Sequence, residues 1–164
     1  MPGQRVKVGD IFEVPMQSGK KGYVQYIGND MTQLNSNVIR VFKRRESIDI
    51  VPDIEAIVKD EIEFYAHVTG MEFGVKDKSW EKIGYSSDVG DLKKPLFRDS
   101  RDYGNPLVKV SNEWYVWRIN ETSVYVGKLK GEYTKADVGI VVWPKDIIAR
   151  METGKYLFFY PDYK

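Results

Sequence analysis

Between Pro106 and Leu129 three β-favouring runs, Leu107–Val110, Trp114–Ile119 and Ser123–Leu129, are separated only by Ser111-Asn112-Glu113 and Asn120-Glu121-Thr122. Spacers that short serve hairpins and not crossovers, so the stretch predicts a three-stranded antiparallel meander. In the middle run Tyr115, Trp117 and Ile119 share one face while Trp114, Val116 and Arg118 share the other. That two-residue period is the signature of a strand.

Similar punctuation runs through the rest of the chain. Gly9-Asp10 leads into Ile11–Val14, which Pro15 stops; Ser18–Gly22 reads as a turn and Tyr23–Ile27 as its return strand, giving an N-terminal hairpin. A polar loop after Gly28-Asn29-Asp30 leads to a third strand, Val38–Lys43. Ile54, Ile57, Val58 and Ile62 then follow helical spacing behind Pro52-Asp53, which predicts a short helix at about 53–60. Ile62, Phe64, Ala66 and Val68 alternate with Glu63, Tyr65 and His67. The expectation is a half-buried strand with His67 facing outward, broken by Gly70 and Gly74. From Lys76 to Asn105 glycine, proline and charge dominate, with Trp80, Ile83, Leu92, Leu96 and Phe97 as scattered anchors; this reads as a long ordered loop or short strands. A last short strand at Ile140–Trp143 precedes a helix near 144–153, with Pro144 at its first position, a stripe of Ile147, Ile148 and Met151, and Gly154 as its stop. Trp143 is a weak cap for that helix. The tail from Tyr156 to Tyr160 is too apolar to dangle, and is expected to dock on the core or complete the sheet.

Composition limits the chemistry. Absence of cysteine removes disulfides, thiolate nucleophiles and Cys-ligated metals. The opening MPGQRVKVGD lacks the apolar stretch of a secretory signal, and no run approaches the ~20 apolar residues of a membrane helix, so a cytoplasmic location is expected. The net charge of +1 selects no partner. Its distribution is uneven, since seven acidic residues stand against one lysine from Glu46 to Glu63, flanked by Lys20, Lys21, Lys43–Arg45, Lys93, Lys94, Arg98 and Arg101. A solvated surface is the plain reading, and an acidic docking patch for a basic partner the sharper one.

Catalytic patterns are weak. The single histidine, His67, has no G-x-S-x-G elbow to accompany it, and no metal-ligand spacing is present. Ser18-Gly19-Lys20-Lys21 has only a partial likeness to a phosphate-binding loop, with Val14 where a glycine is required and no hydroxyl after the lysines. Lys21-Gly22-Tyr23 begins like an RNA-recognition signature, but Val24 and Gln25 depart from it and the charge footprint is missing. Neither a cofactor, a nucleic acid nor a membrane is implied. A small carboxylate-based enzyme and a single-stranded nucleic-acid-binding β domain remain as alternatives.

The block Gly9-Asp10-Ile11-Phe12-Glu13-Val14-Pro15, followed by Gly19-Lys20-Lys21-Gly22-Tyr23-Val24-Gln25-Tyr26 and Ile39-Arg40-Val41-Phe42, resembles the opening of the immunity protein 26 family. Lys78-Ser79-Trp80 with Lys82-Ile83-Gly84 resembles that family's Lys-x-Trp feature. The resemblance implies a non-catalytic protein from a bacterial polymorphic-toxin locus, one that neutralises a cognate toxin domain by direct contact. The combined reading is a single α+β domain over residues 1–164, mainly an antiparallel twisted sheet or partial barrel with two short helices. Asp53, Glu55, Asp60, Glu61, Glu63, Lys78 and Trp80 are the toxin-contact candidates. For Trp80 the competing reading is a core anchor, the commoner fate of a tryptophan. The toxin's identity and the oligomeric state are not legible.

Overall fold

The computed structural model describes residues 5–164. Strands β1 (Asp10–Pro15) and β2 (Lys20–Asp30) form the expected N-terminal hairpin, with Phe12 opposite Val24 and Val14 opposite Gly22. β3 (Ser36–Phe42) extends the sheet antiparallel to β2, and the two-residue β4 (Glu46–Ser47) pairs the start of β2. Helix α1 (Ile54–Val58) comes next, then β5 (Ile62–Val68), antiparallel to β3. Helix α2 (Met71–Lys76) leads into β6 (Glu81–Tyr85), which returns to pair β1.

A second sheet follows. β7 (Leu96–Ser100), β8 (Trp114–Arg118) and β9 (Val124–Gly127) form an antiparallel meander. Its third member differs from the sequence expectation, because Leu107–Val110 is not a strand and Leu96–Ser100 takes its place beside β8. Val110 makes one isolated bridge, to Asp162 of the tail. Leu107 is 89% exposed, so the β-favouring residues there have no buried face to fill. After a 3₁₀ turn at Gly131–Lys135, β10 (Asp137–Val138) joins β7 in parallel and β11 (Val141–Val142) joins β5 in parallel. The first sheet therefore runs β11-β5-β3-β2-β1-β6 with β4 off β2, and the second runs β10-β7-β8-β9. Helix α3 (Pro144–Thr153) starts and stops where its sequence signals predict. Gly154 closes it in the left-handed conformation, at φ 87°. Trp143 contributes no side-chain cap, and instead its N–H donates to Asp146 Oδ2 at 2.9 Å.

Both faces of the first sheet are covered. On one, Phe12, Val24, Ile39, Val41, Phe64 and Ala66 pack with Trp80 and with Ile147 and Met151 of α3. The tail closes this layer as expected, with the Tyr156 ring edge-on to Phe64 and stacked on Phe158. On the other face α1 lays Ile57 and Val58 over Ile11, Tyr23 and Phe42, while Ile27 and Val38 meet Phe97 and Trp117 of the second sheet. The second sheet also overturns the reading of His67 as outward-facing. That face of β5 lies under Phe97, and the imidazole is fully buried 4.1 Å from the phenyl ring. Alternation predicts which residues share a face, but says nothing about whether a second layer covers it.

Candidate partner-binding surface

The acidic segment and the basic run after β3 meet across the β3–β5 pairing. Lys43 Nζ lies 2.9 Å from Glu61 Oε2, and Arg45 Nη2 lies 2.9 Å from both carboxylate oxygens of Glu63. Asp60 Oδ2 accepts the Arg44 backbone N–H at 2.7 Å, and the Arg44 guanidinium pairs Glu46 at 3.6 Å. Mutual hydrogen bonding and attraction raise the Lys43 pKa and lower that of Glu61. The result is a ladder of alternating charge, not a bare acidic patch. Asp53 is committed locally, its carboxylate accepting the Ala56 N–H at 3.2 Å as the N-cap of α1, and Glu55 is exposed in the first turn of that helix.

Lys78 and Trp80 lie apart from the ladder. Lys78 is exposed in a left-handed backbone conformation, at φ 64°. Trp80 is buried beneath α2, with its indole N–H donating to Met71 O at 3.2 Å. Its ring lies so close to Gly74 that a Cβ there would sit 2.1 Å from it. Trp80 thus anchors the core and presents almost no surface to a partner.

Between the two sheets lies a buried polar junction that the sequence does not announce. Asp30 at the end of β2 accepts from His67 Nε2 at 3.0 Å and from Trp117 Nε1 at 3.0 Å through Oδ2. Its Oδ1 accepts the backbone N–H groups of Gln33 and Asn120, each at 3.1 Å. Burial by itself raises this carboxyl's pKa, but the hydrogen bonds from His67, Gln33 and Asn120 outweigh it and hold it below the ordinary value. Burial also depresses His67, with Asp30 offsetting part of the effect. A neutral imidazole donating from Nε2 fits the site, and Nδ1 has no partner among the described residues. Asp30 and the imidazole are both shut off from solvent, so the pair welds the sheets and has no route to a substrate.

A concave site lies where the tail crosses β7 and β10. The cavity, about 280 Å³, is lined by Arg98, Asp137, Arg150, Tyr156 and Tyr160 among others. Asp137 binds Arg150 Nη2 at 3.3 Å through Oδ1 and the Tyr65 N–H at 3.0 Å through Oδ2. Burial lifts its pKa to about 6 despite the opposing pull of Arg150, and burial pushes the Tyr156 hydroxyl up to about 12. In the sequence Arg98 stands out only as one of several basic groups, and Tyr156 and Tyr160 only as part of the apolar tail. The set comes from β7, β10, α3 and the tail, so no local spacing links its members.

Among the described residues no group of three or more His, Asp or Glu side chains is placed to hold a metal ion, and no helix is long and apolar enough to cross a membrane. The exposed aromatic pair Phe73–Trp143 and the pair of half-buried Tyr115 with exposed Tyr125 are inclined at 67° and 66°. Neither offers the parallel faces on which successive bases stack.

The family model of immunity protein 26 matches residues 7–105. The chain belongs to that family. The match runs from the N-terminal hairpin through β7, and the remaining strands complete both sheets begun within it. No curated protein and no solved structure matches the chain.

Proposed function

We propose that this protein is the immunity partner of a bacterial toxin, binding the toxin domain directly in the cytoplasm and blocking it without catalysis. Family membership across residues 7–105 carries the reading. The burial of the one histidine supports it, since the side chain best suited to proton transfer at neutral pH is locked between the sheets. Residues 1–164 work as one domain in this reading, because β11 and β10 from the C-terminal part pair β5 and β7 from the matched part.

The deciding experiment is co-expression of the tagged chain with the product of the adjacent gene, followed by affinity capture and mass spectrometry. A stoichiometric toxin domain, together with restored growth of the toxin-expressing host, is the expected outcome. Capture of an oligonucleotide or a metabolite with no protein partner would reject neutralisation. Within this reading the exposed ladder is the contact surface for a partner of mixed charge. Reversing Asp60, Glu61 and Glu63 together should slow association several-fold at low salt and flatten its salt dependence. Unchanged association kinetics would remove the ladder from the interface.

A further inference from the structure

Arg98 stands out because, among the described residues, its side chain donates no hydrogen bond. The guanidinium lies over the Trp114 ring at 5.0 Å and the Tyr163 ring at 5.1 Å. Its Nε is closed off from solvent without a hydrogen-bond partner, and no ion pair or hydrogen bond engages its Nη nitrogens among the described residues. Arg150, on the same cavity, is satisfied in contrast, with Asp137 as its partner and the Phe64 ring 3.8 Å away. Tyr156 also lines the cavity, but its hydroxyl is shut off from it as it is from solvent. An occupant cannot reach that buried Nε of Arg98, but the Nη nitrogens of Arg98 are not closed off and carry unpaired N–H donors at the cavity.

Charge and size narrow what that is. The lining carries three cationic side chains, Arg98, Arg150 and Lys155, against two carboxylates, Asp137 and Asp162. The planar fork of an arginine held between aromatic rings matches a carboxylate in shape and charge. A volume of about 280 Å³ suits one side chain and not a helix or a strand. We infer that this cavity receives the carboxylate of a single aspartate or glutamate projecting from the toxin, with the Nη nitrogens of Arg98 as its principal ligand. The inference rests on the neutralisation reading for its occupant, and on the cavity alone for its chemistry.

The test separates the two. The ¹⁵N-labelled chain is titrated with the α-amide of N-acetylglutamate, a free side-chain carboxylate, while the Nε–H signals of Arg98 and the exposed Arg101 are followed by NMR. The expected result is a saturable shift at Arg98 at concentrations that leave Arg101 unmoved. Followed through the backbone amide shifts of the tail residues that accompany it, binding should weaken at least tenfold in Arg98→Lys and vanish in Arg98→Met. No response at Arg98 before Arg101 responds overturns the inference. So does a response to inorganic phosphate but not to the acetylated glutamate, which would make the occupant a phosphate. Because Arg98 also packs on two rings, the Lys variant guards against simple misfolding of the Met variant. Toxin capture by Arg98→Met at wild-type strength would leave neutralisation standing and remove this cavity from it. Failure of the wild-type chain to capture any toxin would reject neutralisation without touching the titration.

Discussion

Carboxylates meet bases in two regions of this molecule, with opposite consequences. At the exposed end of β3 and β5, Lys43 and Glu61 pair with 57% and 77% of their side chains still open to water. At the junction of the sheets, Asp30 and His67 pair with none. Water competes for the first pair and salt screens it, so its net contribution is small. The second pair has no solvent to fall back on, and each group there depends on the others for its hydrogen bonds. One arrangement suits recognition, where contacts must be exchanged for a partner's; the other fixes the relative position of two layers.

The largest expected effect comes from breaking the junction. Asp30→Ala should cost about 3–5 kcal/mol in urea unfolding, because it strands the His67 and Trp117 donors and two backbone N–H groups at once. A loss under 1 kcal/mol would show that water or local rearrangement replaces the carboxylate.

Acid sharpens the contrast further. His67 is depressed below its ordinary 6.5, so the unfolded chain takes up its proton first. Its contribution is present above 6.5 and lost as the pH falls below that value. Asp30 is likewise depressed, and its contribution is present above its ordinary 3.8 and lost beneath it. Asp137 opposes them. Its pKa is raised to about 6, so its contribution is full below 3.8 and disappears as the pH rises through 6. Between pH 6.5 and 4 the two contributions oppose one another, so Asp137→Asn should lose stability on acidification more steeply than the wild-type chain. Identical pH profiles would mean that Asp137 titrates normally.

The smallest effect belongs to the ladder. Glu63→Gln should shift stability by about 0.5–1 kcal/mol, since Arg45 keeps its bond to Phe42 O. Lys43→Gln should leave the melting midpoint unchanged. A clear loss in either would mean that the ladder holds the fold as well as facing outward.

Local signals carried most of the elements. Gly9-Asp10 and Ser18–Gly22 mark the first hairpin, Asp53 caps α1, and Pro144 with Gly154 bounds α3. Errors arose where a residue's reason lay elsewhere in the chain. Gly74 read as a breaker, yet it sits inside α2 because the Trp80 ring leaves no room for a side chain. Leu107–Val110 has strand propensity without a neighbour to pair, whereas Leu96–Ser100 has the neighbour. Asp60, Glu61 and Glu63 were visible as acids, but the partners that temper them stand eighteen or so residues earlier, just past the end of an adjacent strand. Arg98, Asp137, Arg150 and Tyr156 meet only in the folded chain.

The stretch from Asp137 to Val142 pairs β7 with one end and β5 with the other. Four of these six residues thereby cover part of two strand edges, one in each sheet. A chain lacking them would expose both edges together, one bordered by Phe64 and Val68 and the other by Phe97. Unpaired edges beside apolar side chains recruit further strands from other copies. Truncation or slow completion of this late segment therefore carries an aggregation hazard out of proportion to its length.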